Sequence, residues 1–487
     1  MEFLNNILTM LTPTPGEPLM MSSGLFWVLM LVFLPALAVL QSHRRRMTLF
    51  VTAFSLLCAI KGSGVLALLM LLTAAMDWVT AQAIATCNDD RRRRVMLWAS
   101  IACSVGLLVY FKYANFALAT WHDIVGGNFE PLDIILPVGI SFYTFRTVSY
   151  VVDVYHGKMR PVDSLLDYAF YLTFFPCMVA GPIVRAADFM PQLYNYKAAS
   201  PRAVWDGLWQ FMLGVVKKCV FADYIAQYVN IVYGSPSGYS GFELLVAVLG
   251  FSVQIYMDFS GYSDMAIGMG RVMGFDLGEN FNLPYRSLNV TEFWRRWHIS
   301  LSQWLRDYIY IPLGGNRKGK VRQHLNLLTT MLVGGIWHGA NWNFVVWGAG
   351  HGIALCVHKV LMPRLKAIDN TRAVTIASGV VTFVVVSLLW VFFATPDVGT
   401  AWGIISGMVT RFDAAYIPVL VSRRPLLCVL LLLAAVSHYM PTRWLQRARE
   451  WFVAAPWWAR LLVFIVMVQV VLQVASNDVQ PFLYAGF

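Results

Sequence analysis

Runs of about twenty apolar residues, set apart by short charged clusters, recur along the chain, and each has the length an α-helix needs to cross a bilayer. They predict spans near 24–40, 47–61, 64–84, 96–120, 132–152, 165–184, 205–232, 242–274, 325–349, 374–394, 425–440 and 457–477, with a further short one near 350–362. The pattern is that of an all-α polytopic membrane protein, with residues 1–487 as a single integral-membrane domain. Gly24 to Leu40 is followed at once by His43-Arg44-Arg45-Arg46. That asymmetry predicts a cytoplasmic face for the arginines and an extracytoplasmic N-terminal segment, 1–23. The segment holds no Lys or Arg, so it lacks the basic start of a signal peptide. A second cluster, Arg91-Arg92-Arg93-Arg94, closes off two spans, and two crossings return it to the same face.

The middle of the chain, 134–358, is different. Its apolar runs are interrupted by Pro137-Val138-Gly139, Pro176, Gly181-Pro182, Asp258, Asp264 and Gly314-Gly315. Irregular backbone at membrane depth survives only inside protein or along a wet cavity. This region is therefore expected to form a funnel or tunnel, walled by the flanking spans, including the C-terminal helices of 372–487. No internal repeat is evident, which weighs against repeat-built transporters.

Composition sharpens the reading. The chain is 58% hydrophobic and 13% charged, against about 25% charged in soluble domains; its mean hydropathy is +0.60. The net charge of +11 sits in short loops between apolar runs, a topology signal and not a nucleic-acid groove. Seven cysteines form no CxxC pair; they read as small buried hydrophobes, with no disulfide framework and no metal site.

Two histidines packed among tryptophans are the candidate chemistry. Over Thr291 to Tyr308, read as one helix capped by Thr291, the residues Trp294, Trp297, His298, Leu301, Trp304, Leu305 and Tyr308 share an aromatic stripe. Glu292, Arg295, Arg296, Gln303 and Arg306 fall largely elsewhere. On that stripe His298 is neutral, either a core residue with one hydrogen-bond partner or a general base. His338 lies among Gly334, Gly335, Gly339 and Ala340; small neighbours admit either another helix or a thin substrate. His351 and His358 read as structural, since on a continuous helix His351 faces away from His338. The loop between the histidines carries Arg317, Lys318, Lys320 and Arg322, which mark a cytoplasmic face and suit phosphates. Asp258, Tyr262 and Asp264 stand in an apolar run. They predict a buried polar network, with Arg271, Arg286, Arg295 or Arg296 as partners.

Several strings resemble the membrane-bound O-acyltransferase family: MDFSGYSDMAIGMG (257–270), ENFNLPY (279–285), TEFWRRWHISLSQWLRDYIYIPLGGNR (291–317) and GGIWHGANWNFVVWG (334–348). Upstream, 136–143 and 180–185 are similar too, as is the closing Pro481-Phe482-Leu483-Tyr484. The likeness is strongest to the bacterial branch that includes the alginate O-acetylation membrane protein; the D-alanine transfer protein of teichoic-acid modification is more distant.

The resemblance implies a bundle of about eleven to thirteen transmembrane or re-entrant helices around a central tunnel. It implies His338 as the catalytic histidine of the family's WHG motif and His298 as the second active-site histidine. No permanently bound cofactor is implied, and acetyl-CoA is the expected donor. Its contacts would come from Arg317, Lys318, Lys320, Arg322, Arg295 and Arg296, with Trp297, Trp337 and Asn341 beside the histidines. In this family's polysaccharide systems, acetyl groups cross the bacterial inner membrane to periplasmic partner proteins within a polysaccharide-synthesis complex. The expected function is thus O-acetylation of an exopolysaccharide. About twenty additional N-terminal residues, with Pro13, Pro15 and Pro18, and a C-terminal third alike only in hydrophobic pattern, fit a polymer such as cellulose as well as alginate. The rival expectation is a transporter or scaffold subunit without chemistry of its own.

Overall fold

A computed structural model describes residues 12–14, 16–365, 371–474 and 483. Among them there is no strand; the secondary structure is α-helix with short 3-10 and π turns. Six helical stretches are long and apolar enough to cross a membrane, or seven if the bent pair Tyr416–Arg423 and Pro425–Tyr439 is one span. The other expected spans appear as shorter or broken helices. Of the motifs read from sequence, the closing Pro481, Phe482 and Tyr484 lie outside the described residues, as do 1–11 and Pro15 of the N-terminal segment. The described chain divides into two units, 12–211 with 264–278, and 212–263 with 279–483.

In the first unit, the stretch Arg44–Thr86 is two passes and not one long rod. Arg44 pairs with Asp167 at 2.8 Å, and Gln82 donates to the Val162 carbonyl at 2.9 Å. Five residues reach about 18 Å at most, whereas a straight helix would hold Arg44 and Gln82 about 57 Å apart. The chain turns at Gly64, whose φ of 56° needs no Cβ. Both arginine clusters thus fall at the same end of this hairpin. Leu72 on this hairpin is exposed, as are Leu31 and Val32 on the preceding helix Gly24–Leu40.

Two expected spans of this unit are corrected. The span at 132–152 becomes helical only at Ile140, because Pro137 interrupts it and the Val138 N–H is taken by Ser63 Oγ at 2.7 Å. The span at 165–184 stops at Thr173 and passes through a 3-10 turn, Phe175–Cys177. Pro176 supplies no N–H there, so carbonyls are left over. Buried Arg146 meets them: its guanidinium donates to the carbonyls of Tyr171 and Leu172 at 3.3 Å each, and to that of Cys177.

The second unit begins within the helix Pro201–Val215, which a π segment, Val216–Ala222, joins to Asp223–Gly234, replacing the single span expected at 205–232. It carries buried Lys218 between Asp223 and Asp258, 2.7 Å from each. Asp258 therefore takes a lysine and none of the four arginines considered. The span expected at 325–349, with its short successor, is a hairpin of Lys320–His338 and Trp342–Leu365. Asn341 holds the break, accepting from the Asn343 N–H at 2.9 Å and donating to the Pro396 carbonyl at 2.7 Å. The hairpin closes on Gly335 and Gly348: a Cβ on Gly335 would lie 2.9 Å from the Gly348 Cα.

Arg146→Leu would leave three buried carbonyls without a donor, and each such group costs about 1–3 kcal/mol. The variant should unfold at a lower temperature in detergent and reach the membrane at a lower level, while Arg160→Leu, in an exposed loop, should match the wild type in both measurements.

Candidate active site

The site is built on a helix that breaks where the aromatic stripe predicted continuity. Asn289, not Thr291, caps its start, accepting from the Glu292 N–H at 2.9 Å. Thr291 instead shares a hydrogen bond with His358 Nδ1 at 2.8 Å. The helix Val290–Arg296 ends, Trp297 is extended, and His298 adopts the left-handed region at φ 40° before Ile299–Leu305 resumes. An imidazole-bearing residue held there is strained, and such strain gathers at functional sites. The buried face of the stripe nevertheless holds: Trp294, Trp297, His298, Leu301, Trp304 and Leu305 are all buried. The break changes the backbone and keeps the face.

One residue grips both sides of the break. The Asn280 carbonyl accepts from the Ile299 N–H at 2.9 Å, and its side-chain Oδ1 lies 3.1 Å from His298 Nδ1. The amide orientation is set by its other neighbours. Its Oδ1 accepts from the Ser300 N–H at 3.4 Å, and its Nδ2 donates to Ser263 Oγ at 2.9 Å. Since a backbone N–H only donates, Oδ1 faces it, and His298 Nδ1 must carry the proton. The lone pair of the neutral ring is then on Nε2, which is buried without a hydrogen-bond partner among the described residues. Burial holds the pKa of His298 well below the usual imidazole range, so the ring stays neutral. To donate to an oxyanion instead, the ring would need its proton on Nε2, the nitrogen that here carries the lone pair.

His338 is the last residue of Lys320–His338 and is buried. Both histidines meet the ring of Trp337, His298 at 6.2 Å between centroids and His338 at 4.9 Å. Trp347 stands edge-on to His338 at 4.9 Å, and Phe393 closes the same pocket at 5.2 Å. The glycines around His338 are occupied by protein: Gly335 meets Gly348, Gly339 meets the Phe344 ring, and Gly334 meets Leu305. They serve the helix hairpin and do not leave a slot for substrate. His351 also differs from expectation. The break after His338 turns the chain back, so His338 and His351 flank the same ring, Trp347, at 4.9 and 4.8 Å.

A cavity of about 630 Å³ opens beside these residues, within the range of sites for drug-sized ligands. Arg295, Arg306, Arg317 and Lys359 line it, with Trp294, Ile299, Tyr310, Gln323 and Met331 among the others. Arg306 pairs with Asp307 at 2.6 Å; among the described residues no carboxylate pairs with Arg295, Arg317 or Lys359. Neither histidine lines the cavity. Ile299 comes directly after His298 in the chain, and the ring of Trp294 meets Trp347 at 5.8 Å, so each lies one residue or ring behind the wall.

The expected donor contacts divide. Arg295 and Arg317 reach the cavity; Lys318, Lys320 and Arg322 do not line it. Arg296 is held by Glu292 at 2.9 Å. Trp297 packs against Phe293 and Trp390, Trp337 separates the histidines, and Asn341 caps the hairpin. Asp258 and Asp264 take different partners, the first Lys218 and the second Gln210 Nε2 at 3.1 Å; Tyr262 is buried. Sequence reasoning missed Asn280, Lys218 and Lys359, and it counted Arg306 only as part of a polar face. The ENFNLPY string carried Asn280 without indicating that its amide meets the imidazole.

The model of the MBOAT, membrane-bound O-acyltransferase, family matches residues 158–396. A probable alginate O-acetylase of Azotobacter vinelandii is 38% identical over 398 residues, covering 80% of this chain and 78% of its own. A probable alginate O-acetylase of Pseudomonas aeruginosa is 41% identical over 324 residues, covering 65% of this chain; the chain spans 61% of that relative. A peptidoglycan O-acetyltransferase of Helicobacter pylori is 37% identical over 359 residues, 68% of each chain.

Asn280→Ala frees His298 Nδ1 and removes the fixed tautomer. Turnover should fall about 10- to 100-fold, the range met when the partner that orients an imidazole is lost, with membrane level within about twofold. A variant of unchanged turnover would show that the tautomer is not used. The lowered pKa of His298 gives a second expectation. A base works in its deprotonated form, so the acid limb of kcat/KM should lie below the ordinary imidazole pKa of about 6.5.

Proposed function

Because the chain belongs to the membrane-bound O-acyltransferase family, and is a multi-pass membrane O-acyltransferase, we propose that it passes an acetyl group from acetyl-CoA, on the cytoplasmic side of a bacterial inner membrane, to a hydroxyl presented from the outside. The end product is an O-acetylated exopolysaccharide, alginate-like or cellulose, made with periplasmic partner proteins of a polysaccharide-synthesis complex. The observation that carries this reading is the pair of buried imidazoles on one tryptophan, with a free lone pair on one of them. The polymers in the relatives' names, alginate and peptidoglycan, support a carbohydrate product.

The donor's phosphates engage Arg295, Arg306, Arg317 and Lys359, and its pantetheine arm runs past Trp294 toward His338. His298 Nε2 takes the proton as the acceptor oxygen attacks the thioester carbonyl carbon. The C–S bond then breaks, and the proton passes to the departing sulfur, leaving the ester and free thiol. His338, across Trp337, contacts the acyl group. Proton transfer of this kind contributes roughly 10²- to 10⁴-fold; the remainder comes from alignment in a site closed to water.

Purified protein in liposomes with labelled acetyl-CoA tests the reading. Transfer or hydrolysis of the thioester is expected, and both should fall by at least about 10²-fold in His298→Ala and His338→Ala. An intact thioester that appears on the other side of the membrane would instead establish a transporter. Replacing Arg295, Arg306, Arg317 and Lys359 by Gln should raise the donor KM about tenfold or more. The same change at Lys318, Lys320 and Arg322 should leave it within about twofold.

A further inference from the structure

We propose that His351 is a positioning residue for this acyl transfer, acting through Trp294 on the wall of the donor cavity; the inference rests on the function proposed above. His351 is fully buried on the helix Trp342–Leu365. Its Nδ1 accepts from the indole N–H of Trp294 at 3.3 Å. An indole N–H can only donate, so in the neutral ring the proton of His351 sits on Nε2. That N–H is buried and meets no acceptor among the described residues. A phenylalanine or leucine would fill the same space without a stranded donor. Packing alone therefore explains this imidazole poorly, and the acceptor at Nδ1 explains it directly.

The acceptor fixes a ring that matters to the donor. Trp294 lines the cation-rimmed cavity, and among the described residues its N–H has His351 as its one partner. Trp347 touches Trp294 at 5.8 Å, His351 at 4.8 Å and His338 at 4.9 Å. One imidazole therefore sets the indole on the cavity wall and abuts the ring that backs His338. Without the acceptor, the indole N–H must find a partner in the wet cavity, which turns the ring into the path of the donor.

The test uses the full-length protein in liposomes with acetyl-CoA. His351→Phe keeps the ring and removes the acceptor; it should raise the donor KM about tenfold, with kcat within about threefold. His351→Asn, whose Oδ1 can replace Nδ1, should restore most of the affinity despite its smaller size. Trp294→Phe should match His351→Phe, and the double variant should lose no more than either single one. A purely packing role predicts the reverse order, Asn worse than Phe, and additive losses; either result overturns the proposal. A second measurement needs no turnover. In protein carrying ¹⁵N-tryptophan, the indole N–H resonance lost in Trp294→Phe should exchange with solvent faster in His351→Phe and stay slow in His351→Asn. Equal exchange in both variants overturns the contact. A wild-type protein that leaves acetyl-CoA untouched ends the proposed function, while exchange at Trp294 still decides the role of His351.

Discussion

Every polar group that this chain carries into an apolar surrounding must be met by another polar group of the chain, because lipid offers none. That constraint organises both units. In the first, a buried guanidinium collects the carbonyls released where a helix stops at Thr173, ahead of Pro176. In the second, Lys218 is flanked by two carboxylates, and an amide holds an imidazole at a break in the helix. The desolvation of such groups is costly, and a near-complete set of partners makes them tolerable. The exceptions are informative for the same reason. Among the described residues, the buried side-chain atoms without a hydrogen-bond partner include one nitrogen each of His298 and His351, both beside the candidate site.

The candidate site obtains precision from irregularity. A regular helix across 291–308 would point its side chains by a fixed rotation, and no backbone N–H would be spare. The left-handed His298 releases the Ile299 N–H to a neighbouring loop and lets Asn280 reach the imidazole from the same loop. Across Trp337, the helix hairpin delivers His338 at the very end of a helix, where the chain also turns. Both histidines thus sit at discontinuities. Their surroundings are aromatic rings packed edge to face, an arrangement that is stiff and excludes water without competing for hydrogen bonds.

The sequence disclosed the class of fold, the membrane setting and the two histidines, since apolar run length, loop charge and long motif strings are local signals. The buried stripe from Trp294 to Leu305 was equally legible, because burial tracks spacing even when the backbone kinks. The kink itself was hidden. Nothing about a histidine announces φ 40°, and the residue that enforces it lies in a separate loop. The partner of Asp258 was hidden for a related reason: the arginines near it in sequence are not its partners, and the lysine comes from another helix through a π segment. Hydropathy averaged over a window also joined 325–349 into one span, because Gly339, Ala340 and Asn341 do not lower the mean enough to expose the turn.

The π segment Val216–Ala222 stores one residue of chain at the buried charge cluster. A π turn accommodates one residue beyond the α-helical repeat. The helices on either side therefore stay in phase, and loss of a single residue there would restore ordinary winding and remove the wider turn that presents Lys218 between Asp223 and Asp258. A change of chain length at this turn would therefore fall on the buried charge cluster and not on the path of the helices that flank it.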